Sequence, residues 1–242
     1  MNPTSRIGIV GAGRLGSALA GALRAAGLDV SGPLGRGADG ADCDVVLLCV
    51  PDAEIAVAAR AIRAGPLVGH TSGATSLAPL APHEAFSLHP LVSVTTSGAS
   101  FVGAGCAVAG STERARTVAT RLALAVGMRP FAVADVDRPL YHASASMASN
   151  YLVTLEGAAE RLAAAAGVDR EHLVPLVRSA VEHWARAGAA DALTGPIARG
   201  DDETVARQRQ AIDARAPDLL PMWDALTGAT RELARSRTIK AQ

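Results

Sequence analysis

The chain has 242 residues, with 23 basic and 23 acidic side chains balancing to a net charge of zero, 49% hydrophobic residues and only 3% aromatics. Without a basic stripe it has no electrostatic grip on nucleic acid, because displacing phosphate counterions needs many clustered cations. No apolar run is long enough to span a bilayer, and the length is ample for a core packed by Ala, Leu and Val.

Residues 6–10, RIGIV, read as a buried strand that starts too early to leave room for a signal peptide, so a cytoplasmic protein is expected. Short apolar runs then alternate with helical patterns: a helix over 15–26, a strand over 28–31, a strand over 44–50, a helix over 53–64, then strands over 67–71 and 85–88. Such alternation implies parallel pairing in a doubly wound sheet. GPLGRGADGAD, after the second strand, is too short for a full helix and strand, so one unit is abbreviated. Further strands are expected at 106–109 and 130–134, with a helix over 112–126 between them. From 137 the texture turns helical. Pro139 suits a first turn, and Leu140, Met147, Tyr151, Leu155, Ala158 and Leu162 make one apolar face of a helix running unbroken to 166. Asp169 can cap the next helix, in which Pro175 marks a kink or the true start; Gly188 closes it, and two more helical stretches split near Pro217. The expected architecture is α/β: a dinucleotide-type domain over 1–135, then an all-helical domain over 136–242.

Gly11, Gly13 and Gly16 stand in G-x-G-x-x-G spacing directly between the first strand and the first helix. In that context they serve a tight turn, backbone approach to a pyrophosphate, and close helix–strand packing, while Arg14 and Leu15 open the helix whose free N–H groups face the phosphates. The reading is a Rossmann-type nucleotide loop. An NAD site would place a carboxylate about twenty residues past the loop. Arg36 stands there instead, which favours NADP. Val50 and Pro51, ending the next strand, would stiffen the turn beside the nicotinamide; Asp52 is a helix cap or a contact.

Ligands of open α/β sheets lie beyond the strands' carboxyl ends. His70, Thr71 and Ser72 follow one strand there, and His89-Pro90 the next. Hydride transfer needs a matching proton donor or acceptor, for which histidine is suited near neutral pH. His89 is the expected acid/base, with Ser72 orienting it or binding substrate oxygen and His70 near the substrate. On the long helix His142, Ser146 and Asn150 form a polar stripe at i, i+4 and i+8, with Asn150 able to hold substrate or a nicotinamide amide. Arg199 could clamp a carboxylate, and Asp201 caps the helix that follows. Cys43, Cys49 and Cys106 lack metal-type spacing, and Cys43 and Cys49 read as small core residues, so no metal is expected. Lys240, in a tail expected to fray, is the only lysine, which leaves no internal amine for acid, base or Schiff-base chemistry.

GIVGAGRLG, LLCVPD, GHTSGA, SLHP, YHASASMASNYLVTLEGAAERL and LTGPIARGD together resemble the Rossmann-like proteins that carry the domain of unknown function 2520. The family is similar to NADP-dependent oxidoreductases of the pyrroline-carboxylate, ketopantoate and prephenate type. The resemblance implies a Rossmann domain, a helical C-terminal domain, a homodimer joined through those helices and a small keto-acid substrate. Prephenate dehydrogenases carry a serine and a His-Pro placed like Ser72 and His89-Pro90. Ketopantoate and hydroxyacid reductases use a lysine four residues before an asparagine; Asn150 matches the asparagine, but Ser146 stands at the lysine position. The histidine that members often carry near Gln208 is missing. The leading expectation is an NADP-dependent oxidoreductase moving hydride to or from a small carboxylated carbonyl or imine compound; a deazaflavin-dependent variant of this reading stays open, since related Rossmann domains use that cofactor. The alternative is a non-catalytic NADP sensor that regulates a partner.

Overall fold

Seven strands order themselves as β2-β1-β3-β4-β5-β6-β7 in the computed structural model, which describes residues 5–96 and 98–240, with side chains as far as Ser236. The side chain of Lys240 therefore lies outside the described residues. The strands are β1 (Ile7–Val10), β2 (Val30–Leu34), β3 (Val45–Leu48), β4 (Leu67–His70), β5 (Ala85–Pro90), β6 (Gly105–Gly110) and β7 (Arg129–Phe131). Strands β1 to β5 are parallel, β6 runs antiparallel to β5, and β7 is parallel to β6. The doubly wound sheet expected from the alternation is present. No helix separates β2 from β3, as the shortness of that segment implied.

Alternation along each strand sends side chains to two separate cores. One face carries Ile7, Ile9, Val45, Leu47 and Phe86 under α1 (Arg14–Ala25) and α3 (Glu113–Ala125). The other carries Val10, Val46, Leu48 and Val68 under α2 (Ile55–Ala61). Thr112 caps α3 by accepting the amide of Ala115 at 3.1 Å. The expected strand over 85–88 extends to Pro90, because His89 and Pro90 pair with Ala107 and Cys106 of β6. The last strand covers 129–131 rather than 130–134.

Helix α4 (Arg138–Ser146) leads into a π turn, Met147–Tyr151, and then α5 (Leu152–Ala165). The expected single helix to 166 is thus interrupted by a turn with one extra residue, a device found often at functional sites. Helix α6 (Arg170–Ala187) contains Pro175 in its interior, so the proline is not its start. Two short helices, α7 (Ala189–Ala192) and α8 (Pro196–Arg199), precede α9 (Asp202–Arg215) and α10 (Leu220–Lys240). Asp201 caps α9, accepting the amide of Thr204 at 3.0 Å. Contacts divide the chain into two compact units, Met1–Asn150 and Tyr151–Gln242, so the π turn straddles the division and α4 counts with the sheet. In the second unit a small core forms around Ile212, Ala216 and Leu219, with Leu162 and Trp223 against it. No helix among the described residues is long and apolar enough to cross a membrane.

Candidate functional site

Because β1, β3, β4 and β5 are parallel, their carboxyl ends share one edge of the sheet. The chain steps from β1 to β2 on one side and then back to β3 on the other. That reversal opens a crevice at the ends of β1 and β3. A cleft of about 610 Å³ lies there, lined by residues that include Gly11, Gly13, Arg36, Val50, Pro51 and Glu54.

The three loop glycines have different reasons to be glycine. Gly11 has φ +112°, and a Cβ there would fall 2.2 Å from the Cys49 carbonyl oxygen. At Gly16 a Cβ would sit 2.0 Å from the Gly11 oxygen, and it would also press on Cys49 at 3.1 Å. Both are demanded by packing. Gly13 is not, since a Cβ added to it meets nothing within 4 Å and its backbone is extended. The space in front of Gly13 is open, no side chain caps α1, and no acidic residue stands in its first turn. Amides and dipole at that end suit a diphosphate. Arg14 is exposed, whereas the side chain of Leu15 packs on the core and leaves its backbone for the loop. Arg36 is 87% exposed, and its Nη2 donates to Glu54 Oε1 at 3.0 Å.

Along the same edge, a second pocket of about 510 Å³ is walled by His89, Pro90, His142, Ser146 and Asn150 among others. His89 Nδ1 lies 2.7 Å from the Tyr141 hydroxyl, with the rings edge to face at 5.5 Å, and the His142 ring centre is 5.9 Å from that of His89. Burial pushes the Tyr141 phenol up to about 12, so it stays protonated. We assign its O–H as the donor to Nδ1, which leaves Nε2 carrying the imidazole proton. Burial first, then His142 and Arg138, push His89 down to about 4. The expectation that His89 titrates near neutral pH is corrected accordingly: above about pH 4 it is a neutral imidazole. In that form it can polarise a carbonyl or imine through its N–H rather than deliver a proton as an imidazolium. Gly73 makes the cluster possible, since a Cβ there would stand 2.7 Å from His89 Cε1 and 2.8 Å from His142 Cδ2.

The residues after β4 turn out to be occupied with one another. His70 is fully buried; its Nδ1 accepts the amide of Ser72 at 3.2 Å and its Nε2 donates to the Ser76 carbonyl at 3.1 Å. Both nitrogens are spent on the turn, so the substrate contact expected of His70 is not available. Burial holds it below the usual histidine range, which matches a neutral ring in that tautomer. Ser72 donates to Asp52 Oδ2 at 2.7 Å and accepts the amide of Thr75 at 3.0 Å, so it fastens this loop to the one after β3; Tyr141, not Ser72, orients His89. His142 and Asn150 line the second pocket, while Ser146 donates to the His142 carbonyl at 3.2 Å. Arg199 is exposed in α8 of the second unit. Tyr141 and the packing role of Gly73 went unremarked in the sequence. Their signals were a tyrosine beside His142 and a glycine inside an otherwise polar loop.

A family model described as a domain of unknown function, DUF2520, matches residues 104–230, more than half of the chain. The chain belongs to the DUF2520 family. No curated protein matches its sequence. Among solved structures, this DUF2520 protein is similar to a Bacteroides fragilis protein provisionally titled an NADP oxidoreductase, with 16% identity over 94% of this chain and 98% of the other, at a TM-score of 0.81. A Thermotoga maritima protein follows at 21% identity, 96% and 99% coverage and a TM-score of 0.75. Pyrroline carboxylate reductase of Plasmodium falciparum, solved with NADP bound, matches at 12% identity, 96% and 99% coverage and a TM-score of 0.61. At these identities the likeness is one of fold.

Proposed function

We propose that this DUF2520 protein is an NADP-dependent oxidoreductase that moves a hydride to or from the carbon of a small carbonyl or imine compound. One observation carries the reading: a single sheet edge holds both a glycine loop with open space at Gly13 and the neutral His89–Tyr141 pair beside a polar pocket. Gly11, Gly13 and the start of α1 would hold the diphosphate, Arg36 the 2′-phosphate, and Val50 and Pro51 would flank the nicotinamide. NADP supplies the hydride chemistry. His89 would hold the substrate oxygen or nitrogen through Nε2–H, with the balancing proton exchanged with solvent and with His142 and Asn150 as neighbouring contacts. A keto-acid, hydroxyacid and imine panel followed by NADPH absorbance tests the activity, and tight NADPH binding with no turnover would favour a sensor. Ser146 is the observation on that side, since its hydroxyl proton is spent on the His142 carbonyl where reductases of related type have a lysine.

Arg36→Ala is expected to weaken NADPH about tenfold to a hundredfold while leaving NADH unchanged, read by fluorescence titration of both. Its loss removes a charge-assisted contact to a group that NADH lacks. Equal weakening of both cofactors would place the 2′-phosphate elsewhere.

The homodimer belongs to the same reading. Val153, Leu176, Val181 and Trp184 are all exposed on α5 and α6, large apolar side chains that gain from cover. A second copy is the occupant inferred, because in a two-fold dimer the same surface can meet itself. Trp184→Glu is expected to halve the mass seen by light scattering; an unchanged mass would exclude this face.

A further inference from the structure

Arg138 is the one formal charge fully buried among the described residues, at 1% exposure. The chain is rich in arginine on its surface, so composition does not account for a guanidinium sealed inside. Nε donates to Asp135 Oδ1 at 3.0 Å, and Nη2 donates to Ser87 Oγ at 2.6 Å, while Nη1 is buried with no partner. Asp135 is itself 62% exposed, so the ion pair reaches out to water on one side only. Burying a cation with one outward partner and one idle nitrogen is costly, so its stability contribution alone does not account for it.

The position is informative. Ser87 is fully buried on β5, two residues before His89. Arg138 opens α4, and Tyr141 and His142 follow it at i+3 and i+4, the same helix face. A single side chain therefore fastens the start of the helix that carries the tyrosine to the strand that carries the histidine.

We propose that Arg138 is the positioning residue of the His89–Tyr141 pair, locking α4 against β5 and standing as a permanent positive charge behind the imidazole. This rests on the reading of His89 as the group that meets the substrate. Two effects follow. The Arg138–Ser87 bond keeps the Tyr141 hydroxyl on Nδ1, so the free ring nitrogen is always the protonated one. The buried charge opposes a second proton on the ring. The other groups bearing on His89 are Tyr141 and His142 from α4, His70 from the end of β4 and Asp52 after β3, of which only Asp52 favours the imidazolium. Arg138 also acts on His70, so one cation adds to the burial that disfavours a second proton on both imidazoles of this edge.

The test is histidine ring NMR of the full chain without ligands, following the His89 titration midpoint and its tautomer. Arg138→Met is expected to raise the midpoint toward the ordinary histidine range and to mix the two tautomers. Arg138→Lys should keep the midpoint low and still mix the tautomers, because it restores the charge but not the fork. Ser87→Ala removes the anchor without touching the charge and should behave like the lysine variant, which keeps the test open if the methionine variant fails to fold. A folded Arg138→Met chain with the parent midpoint overturns the electrostatic half. Unchanged tautomers in both Arg138→Lys and Ser87→Ala overturn the positioning half. These spectra need no cofactor, so failure of NADP binding would overturn the functional reading and leave them as they are.

Discussion

A Gly13→Val chain is expected to keep the parent's stability to within about 1 kcal/mol, and to bind NADPH at least about a hundredfold more weakly. The two halves have one cause. A side chain at position 13 meets no protein atom within 4 Å, and its extended backbone accepts any residue, so the fold does not register it. It would project into the space where a diphosphate must approach the amides of α1. Gly16→Ala is the control with the opposite signature: its Cβ would lie 2.0 Å from the Gly11 oxygen, and stability should fall by about 3 kcal/mol or more. Urea unfolding paired with fluorescence titration separates the two. If Gly13→Val bound NADPH as tightly as the parent, the cleft would not be a dinucleotide site.

Replacing His89 by Ala is expected to lower kcat about a hundredfold to ten-thousandfold on whichever substrate the panel identifies, with NADPH affinity unchanged. Tyr141→Phe should cost less, about tenfold, because the imidazole remains but loses the partner that fixes its tautomer. The pH dependence is part of the expectation. His89 is held down to about 4, so it is neutral at every pH above that value, and the kcat profile should show no inflection near 6.5 from this residue. An inflection near 6.5 that vanishes in His89→Ala would mean the ring titrates as an ordinary histidine, contrary to its burial. Unchanged turnover in His89→Ala would remove it from the chemistry.

Local pattern made much of the fold legible. The β1–loop–α1 unit, the missing helix after β2 and the cap at Asp201 are short-range features, and each is encoded within a few residues. What escaped depends on partners far along the chain. β5 reaches Pro90 only because β6 supplies Ala107 and Cys106 from the opposite direction, so His89 sits within a strand rather than beyond it. The π turn at Met147–Tyr151 inserts a residue that regular helical periodicity cannot foresee. The edge residues themselves were legible as a group, since parallel strands must end together. Their roles were not. Whether a histidine faces a substrate or its own turn is decided by which carbonyl comes within reach, and for His70 that was Ser76. Tyr141 and Arg138 were hidden for the same reason: their partners, His89 and Ser87, are separated from them by 52 and 51 residues.

Cys49 stands directly behind the glycine loop, where Gly11 and Gly16 leave it just enough room. Its thiol is pushed up to about 12 by burial, and that of Cys106 in β6 likewise. Alkylating agents and peroxides attack the thiolate, and at physiological pH almost none exists at either position. Cys49, on the wall of the cleft at the glycine loop, therefore packs as a compact apolar filler, and oxidants that inactivate thiol-dependent enzymes are expected to pass this cleft by.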